Sequence, residues 1–349
     1  MGFGDWLSSH PLPPFILGLI IGIPSVILYV IEVVILLKHW RQLNSAFFRL
    51  FLVRFTLNFL NFFCSYMYAR FGRVGWFYEL FSSSPSVLLA FWFTFYYYAF
   101  HAENLSNMFL IINRVTSIMF PARHLKIWKY MLPISIVLIL VLPLPFTAPM
   151  LTYKFFTRLQ ADNYTFTLSF LSDENDLSIA PNVLGVKHLN PSTVAAFSAA
   201  LFFIVCGTLN VFTIVLYNLH ARGKLFPISN SRSEQQKQTI ESKLTIYAVI
   251  TFLGHLFMAI YNIAMTFCCV FGAGWDFMFL ATFNQLPWVS DFSTIAIPSW
   301  ALLWASSTIR QLMVKELRLQ KWPVLGAYIL KSESVEFMTS TVHTGTVLQ

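Results

Sequence analysis

The sequence predicts an all-α membrane protein, a bundle of seven transmembrane helices with the N-terminus outside the cell. Three observations support this fold class. Hydrophobic residues make up 57% of the chain and charged residues 11%, whereas a soluble domain typically has roughly 25% charged residues. Seven apolar stretches are long enough to cross the hydrocarbon layer of a bilayer, which is about 30 Å thick. Lys and Arg are concentrated in alternate connecting segments, as the positive-inside rule requires of a multi-pass protein.

The predicted spans differ in quality. The fifth and sixth are bounded by polar loops on both sides. The second contains Arg49 and Arg54, and the fourth is rich in proline, which kinks a membrane helix but is tolerated there. The seven spans are Phe15–Leu37, Ala46–Tyr68, Ser86–Ile112, Tyr130–Met150, Val194–Tyr217, Leu244–Phe271 and Met278–Ala305.

The distribution of positive charge sets the orientation. With the N-terminus outside, the inner segments hold 16 of the 23 Lys and Arg residues and the outer segments hold 5. Asn163-Tyr-Thr165 is a glycosylation acceptor, and it falls in the long outer loop, Leu151–Ser192. This loop is the most acidic part of the chain, and we expect it to fold over the bundle as a cap. The chain therefore divides into an extracellular N-terminus (1–14), the helix bundle (15–305), an amphipathic helix (306–322) and a cytoplasmic tail (323–349).

The amphipathic helix follows the seventh span directly. Its apolar side chains repeat at helical spacing, and its basic residues lie mostly elsewhere, which is typical of a helix on the inner membrane surface. Ser307 is the predicted N-cap. The apolar residues are Ile309, Leu312, Met313 and Leu317.

Several function classes find no support. The net charge of +8 does not indicate a nucleic-acid partner, because the basic residues lie between apolar runs and form no single patch. The four cysteines lack metal-binding spacing. His101, Glu103 and His255 are isolated polar residues and match no catalytic arrangement. We therefore expect no catalytic residues, no metal and no cofactor, and we expect the protein not to be an enzyme.

The inner end of the third span carries a motif with two interpretations. Arg114 follows Asn113 at the mouth of this helix. It is either an ordinary interfacial arginine or an arginine that contacts a cytosolic partner when the bundle opens, and chemistry alone does not separate the two.

The wider segment resembles a known family. Asn113-Arg114, Thr116-Ser117-Ile118, Pro121 and Ile127-Trp128 resemble the serpentine receptor class gamma (Srg) chemoreceptors of nematodes, and Pro24 and Tyr29 add to the match. In that family an Asn-Arg pair stands where rhodopsin-like receptors carry Asp/Glu-Arg-Tyr. Unlike those receptors, this chain has no cysteine at the start of the third span or in the long outer loop.

The resemblance implies a G-protein-coupled chemosensory receptor in the plasma membrane of sensory cells. Its expected partners are a small-molecule ligand, a heterotrimeric G protein and the lipid bilayer. The alternative is a multi-span channel or transporter with buried charges along a permeation path. No inverted repeat or matching pair of interrupted helices supports that alternative.

Two sets of candidate binding residues can be named from the predicted spans and from the resemblance. The outer half of the predicted bundle is aromatic and uncharged, which favours an apolar or neutral polar ligand. Buried amide or phenol groups there need hydrogen-bond partners, which a ligand could provide. The candidate ligand-binding residues are Tyr97, Asn262, Gln285 and Trp288. The candidate G-protein contacts are Arg114, Arg123 and Lys126.

Polar residues inside the spans form a third set. A lone charge in lipid is unfavourable, so we expect these residues to face the bundle and pair. Glu32 is expected to pair with Arg54. Asn58 and Asp291 lie at similar depths and are expected to meet between the second and seventh spans, where they could hold a sodium ion.

Overall fold

The computed structural model describes residues 9–43, 45–152, 154–159, 166–171, 191–221, 232–271 and 276–317. Asn163, most of the long outer loop and the cytoplasmic tail lie outside the described residues. "Outer" and "inner" denote the two ends of the bundle as the charge distribution assigns them.

The described chain is a helical bundle, as predicted. The seven spans correspond to Leu12–Lys38, Ala46–Ser65, Ser86–Met119, His124–Val141, Pro191–Ala221, Arg232–Phe271 and a segmented seventh helix, Asp276–Ala305. Short helices follow the first span (Trp40–Leu43), the second (Phe71–Arg73 and Tyr78–Ser82) and the fourth (Leu144–Thr147 and a 3-10 turn, Ala148–Thr152).

Five of the described helices are long and apolar enough to cross a membrane by composition alone. The third span is long enough but carries many polar residues, and these are buried in the bundle. It packs against the second, fourth, fifth and sixth spans, so it lies at the centre. Its polar groups therefore avoid lipid, as membrane helices require.

The fourth and seventh spans differ from the prediction. The fourth helix begins earlier and ends at Val141, because the closely spaced prolines 143 and 145 lack the N–H groups that would continue it. The seventh divides into Asp276–Asn284, Leu286–Ser290, a π-helical segment Asp291–Ala296, and Ile297–Ala305. A second π-helical segment, Tyr66–Arg70, extends the second span at its outer end.

Two glycines let the first and seventh spans approach closely. A Cβ atom on Gly18 would lie 3.0 Å from Pro287, and one on Gly22 would lie 2.6 Å from an Asp291 carboxylate oxygen. The two glycines are four residues apart on one face of the first span, the small-xxx-small pattern of membrane helix packing.

An antiparallel hairpin covers part of the outer end. Strand β1 (Lys154–Leu159) pairs with strand β2 (Phe166–Leu171). The Phe155 backbone N–H donates to Ser86 Oγ at 2.7 Å, and Phe155 packs on Phe93 of the third span. Phe166 is buried against Phe81. The described part of the long outer loop therefore folds back on the bundle.

The amphipathic helix is Ser307–Glu316, with Ser306 as its N-cap in place of Ser307. Ile309 and Met313 are buried as predicted, but Leu317 is exposed. The apolar face packs on the first span near Leu28. Residues 318–322 of the predicted helix lie outside the described part of the chain.

A carboxylate anchors the end of this helix. The Glu316 carboxylate accepts hydrogen bonds from Lys38 Nζ and from His39 Nε2, the latter at 3.0 Å. Hydrogen bonding to Lys38, and then to His39, lowers the pKa of Glu316 below its ordinary value. The last turn of the helix is therefore tied to the inner end of the first span.

Candidate functional site

The inner end of the bundle is closed around Arg114. This residue is 4% exposed, so it is not the solvated interfacial arginine that its position near the helix end allows. Its guanidinium donates to Asn113 Oδ1 at 2.5 Å and lies 4.6 Å from the ring centroid of Phe47. Phe47 in turn packs edge-on against Tyr247 of the sixth span at 5.6 Å. Arg114 thus belongs to a contact that joins the second, third and sixth spans.

The residues that follow Arg114 form an exposed basic rim. Arg123 and Lys126 are both exposed, so both can meet a partner in the cytosol. Arg123 lies between the third and fourth helices and Lys126 lies in the first turn of the fourth. A hydrogen bond from Trp128 Nε1 to Thr116 Oγ1 at 2.7 Å joins these two helices. Of the three predicted G-protein contacts, Arg123 and Lys126 are therefore accessible and Arg114 is buried.

A cluster of buried polar residues lies near mid-depth, and we call it the polar core: Arg54, Glu103, Asn107 and His255. Arg54 Nη2 donates to His255 Nε2 at 2.9 Å, and Arg54 Nη1 donates to Asn107 Oδ1 at 3.4 Å. Because a guanidinium can only donate, His255 Nε2 accepts here and the ring is neutral. Glu103 Oε1 lies 3.6 Å from the same nitrogen. The polar core joins the second, third and sixth spans.

The expected pair between Glu32 and Arg54 is absent. Glu32 is fully buried, and among the described residues neither of its carboxylate oxygens has a hydrogen-bond partner. The Arg54 guanidinium instead donates hydrogen bonds to Asn107 of the third span and His255 of the sixth. The prediction matched the two residues by depth alone, whereas the rotation of each helix about its axis decides which side chains meet.

Asn58 and Asp291 are both fully buried but bind different partners. Asn58 Nδ2 donates to the Thr294 backbone oxygen at 2.6 Å, so Asn58 does connect the second and seventh spans. Asp291 forms a buried ion pair with Arg70 at 2.7 Å and accepts from the Tyr66 hydroxyl at 3.3 Å. The guanidinium occupies the position in which a sodium ion was expected.

One cavity lies between the third, fifth and sixth spans, and we call it the central cavity. The space between its lining residues, open solvent included, is about 340 Å³. Its walls are mostly aromatic and aliphatic, and its polar side chains include Asn107 and His255 of the polar core. Asn104 also lines it, and no hydrogen-bond partner for its buried Nδ2 lies among the described residues. An apolar chamber with a few polar groups is the usual form of a small-molecule site.

The four predicted ligand-binding residues lie nearer the outer end and do not line this cavity. Tyr97 is buried against Phe93. Asn262 Nδ2 donates to the Met258 backbone oxygen of its own helix at 2.8 Å. Gln285 Oε1 accepts from Trp288 Nε1 at 2.8 Å. The structure therefore satisfies these polar groups locally, and it brings Gln285 and Trp288 together.

Comparison with known proteins decides the family. The model of the Srg family chemoreceptors matches residues 15–313, from the first span into the amphipathic helix. The chain belongs to the Srg family. It is also 31% identical over 245 residues to serpentine receptor class gamma-31 of Caenorhabditis elegans, a match that covers 61% of this chain and 76% of that relative. This Srg protein is thus a multi-pass membrane protein of the serpentine seven-transmembrane class and a chemosensory receptor.

Sequence reasoning missed three parts of this Srg receptor's interior. Glu103 and His255 were interpreted as isolated polar residues, and Arg70 lies beyond Tyr68, the predicted end of the second span. An ionisable residue inside or beside an apolar span is itself an indication of a site, because such a group in a membrane protein is by default functional or paired with another group. What the sequence could not supply was the partner of each group.

Among the described residues, no group of three or more His, Cys, Asp or Glu side chains could hold a metal ion.

Proposed function

We propose that this receptor binds a small molecule inside the bundle and responds by opening its inner end to a heterotrimeric G protein. Membership of a chemoreceptor family supports a receptor over the channel or transporter alternative. The observation that carries the proposal is the burial of Arg114 at the inner end of the third span, whereas Arg123 and Lys126, nine and twelve residues further along the chain, are exposed. A cation held there becomes available to a partner only when the bundle opens.

The closed inner end indicates what must move. Arg114 and Tyr247 pack on the same ring, that of Phe47. An outward displacement of the sixth span separates Tyr247 from Phe47 and exposes Arg114. The uncovered guanidinium can then donate to backbone carbonyl groups at the C-terminus of a G-protein helix, where the helix dipole favours a cation.

The central cavity supplies a route from the ligand to this contact. His255 both lines the cavity and accepts a hydrogen bond from Arg54. His255 lies near the middle of the sixth span, and Tyr247 lies eight residues earlier on the same helix, roughly 12 Å nearer to its inner end. His255 can take one position in the closed bundle and another in the open bundle. A ligand that binds more tightly to one of these positions shifts the equilibrium between the closed and open forms.

The cavity also suggests the class of ligand. Its walls are mostly apolar, and its lining residues include no Asp, Glu, Lys or Arg among those the structure describes. The side-chain amide of Asn104 offers a hydrogen-bond donor. A largely apolar, neutral molecule with one hydrogen-bond acceptor fits this lining. The predicted residues Tyr97, Asn262, Gln285 and Trp288 then belong to the path above the cavity.

The test is G-protein activation in membranes that contain the full-length receptor. We expect nucleotide exchange on an added heterotrimeric G protein when neutral, apolar compounds are screened, and we expect Arg114→Gln to abolish it without loss of receptor from the surface. Arg49→Gln is the matched control, because Arg49 is an exposed arginine at the inner end of the second span. Full activation by Arg114→Gln would contradict the proposed role of Arg114. A ligand-gated membrane current in cells that lack G proteins would favour the channel.

A further inference from the structure

Glu32 places a carboxyl group inside the inner half of the bundle. The residue is fully buried, and among the described residues neither of its carboxylate oxygens has a hydrogen-bond partner. It lies six residues before Lys38, the last residue of the first span, and so roughly 9 Å from the inner end of that helix. A buried carboxylate without a partner is very unfavourable, whereas the neutral acid costs much less to bury. Burial therefore favours the protonated form of Glu32 in the closed bundle.

The titratable groups beside Glu32 are phenols and not cations. Tyr29 of the same span and Tyr247 of the sixth span are close enough to interact with it electrostatically, and a phenol is ordinarily uncharged at neutral pH. Arg54 of the second span directs its guanidinium to the polar core. None of these three side chains forms a hydrogen bond with the Glu32 carboxyl group.

The other charged groups around the first span have partners elsewhere or are exposed. The second span, the seventh span, the amphipathic helix and the short helix Trp40–Leu43 pack against the first span. Their charged side chains are Asp291, which pairs with Arg70; Glu316, which binds Lys38 and His39; Arg310, which donates to the Leu303 backbone oxygen; and the exposed residues Arg41, Arg49 and Lys315. No cation of these described elements therefore forms a hydrogen bond with Glu32.

Glu32 also lies beside the contact that closes the inner end of the bundle. Tyr29 and Leu36, three residues before it and four after it, lie on the same helical face. Both belong to the buried hydrophobic cluster that contains Phe47 and Tyr247. Outward displacement of the sixth span removes Tyr247 from this cluster and admits water to the space beside Glu32.

We propose that Glu32 releases a proton when the bundle opens, so that low pH stabilises the closed receptor. This inference rests on the proposed opening of the sixth span. On opening, water solvates the carboxyl group, its O–H bond breaks, and the proton passes to water and then to the cytosol. The electron pair of that bond stays on the carboxylate.

The sign of the pH dependence follows from the protons bound in each form. A hydrated glutamic acid ionises near about pH 4.3, so the open form has lost this proton at neutral pH while the closed form keeps it. The preference for the closed form is therefore greatest below about pH 4.3 and decreases as the pH rises. While the two forms differ by one proton, each unit of rising pH increases the ratio of open to closed receptor by up to about 10-fold.

Infrared spectroscopy of the purified full-length receptor in zwitterionic nanodiscs tests whether Glu32 is protonated in the closed form. A protonated carboxyl group has a C=O stretching band that a carboxylate lacks. The difference spectrum of wild type minus Glu32→Gln at pH 7 should contain this band. Glu79→Gln is the matched control, because Glu79 is exposed, and its difference spectrum should lack the band. Absence of the band in the Glu32→Gln spectrum would overturn the proposal.

Spin labels test whether opening is coupled to this proton. Lys129→Cys and Ile246→Cys are exposed positions near the inner ends of the fourth and sixth spans, so they report the displacement of the sixth span without a ligand or a G protein. Between pH 6 and pH 8 the ratio of long to short distances should rise by up to about 10-fold per pH unit. Glu32→Gln, a neutral mimic of the protonated acid, should remain closed and show no pH dependence.

Other titrating groups predict different results. A histidine such as His255 that gains a proton on opening would increase the open fraction at low pH, the opposite sign. Glu103→Gln should keep the pH dependence, and its loss there together with retention in Glu32→Gln would overturn the proposal in favour of Glu103. Equal distance distributions at pH 6 and pH 8 would also overturn it. Opening that depends on pH and on Glu32, without nucleotide exchange under any condition, would support this inference and contradict the proposed signalling function.

Discussion

The guanidinium of Arg114 lies 4.6 Å from the ring centroid of Phe47, and this contact holds a buried cation at the inner end of the third span. The same ring packs edge-on against Tyr247 of the sixth span. One phenyl ring therefore stabilises both the burial of Arg114 and the inward position of the sixth span. Any motion that separates the ring from one neighbour weakens its contact with the other.

Phe47→Leu tests this coupling. Leucine keeps an apolar side chain but removes the aromatic face, and a cation–π contact contributes about 0.5–2 kcal/mol. Loss of that amount from the closed form should raise basal nucleotide exchange on the G protein about 2- to 30-fold. Phe59→Leu is the control, because Phe59 lies on the same span but is exposed. Unchanged basal exchange in Phe47→Leu would mean that the contact does not hold the closed form.

The polar core gives a second prediction. Arg54→Gln removes the hydrogen bonds from Arg54 to His255 and Asn107 and takes the positive charge out of the polar core, where Glu103 stays buried; each buried polar group left unsatisfied costs about 1–3 kcal/mol. We expect a large loss of folded receptor at the cell surface, measured with an extracellular epitope tag. Arg54→Gln/Glu103→Gln should recover part of it, because the orphaned charge is gone.

Two comparisons sharpen the experiment on Arg54. Arg54→Gln/Glu32→Gln should recover nothing, because the structure does not pair these residues. Arg49→Gln should leave surface expression unchanged, because Arg49 is exposed. Recovery with Glu32→Gln and not with Glu103→Gln would assign Arg54 to the partner that the sequence predicted.

The bundle could be predicted from the sequence because each span is a predominantly apolar stretch long enough to cross a bilayer, and recognising such a stretch does not require knowledge of side-chain contacts. The same reasoning placed Arg54, Asn58 and Asp291 inside the bundle, where all three are buried. It failed on their partners. Depth along a helix can be counted from the sequence, whereas the direction of a side chain around the helix axis depends on how neighbouring spans rotate and pack.

The backbone irregularities explain the error at Asp291. The π-helical segment Tyr66–Arg70 continues the second span beyond its predicted end, which brings Arg70 from a presumed loop into the bundle. The π-helical segment that begins at Asp291 turns the side chains that follow it toward a different side of the helix. A period of 3.6 residues does not describe either segment, so no pattern in the sequence could place this pair.

Gly22 provides a prediction about packing. A Cβ atom there would lie 2.6 Å from the Asp291 carboxylate, a distance that forces the first and seventh spans apart. Gly22→Ala should lower the stability of the detergent-solubilised receptor by about 1–3 kcal/mol, the usual cost of overpacking, seen as a lower Tm. Gly207→Ala is a matched control, since its Cβ would meet Phe252 at an ordinary 3.4 Å. Equal Tm values for the two variants would show that the spans accommodate the methyl group.

The last prediction concerns pH and the amphipathic helix. Hydrogen bonds from Lys38 and His39 lower the pKa of Glu316. A carboxyl group whose pKa is lower in the folded state stabilises that state above its ordinary pKa, about 4.3, and the stabilisation disappears as the pH falls through the lowered value. Docking of the helix on the first span should therefore be constant from pH 8 to about pH 5 and weaken only at more acidic pH.

Spin labels at Arg41→Cys and Lys315→Cys, two exposed positions, report this docking as an electron-spin distance distribution. Zwitterionic nanodiscs keep the lipid charge constant over the range. In the wild-type background the distribution should broaden below about pH 4.3, whereas Glu316→Gln should broaden it at every pH and remove the pH dependence. A transition between pH 5 and 7 would assign the docking to another titrating group. A distribution unchanged at pH 3 would mean that apolar contacts such as that of Met313 hold the helix without the carboxylate.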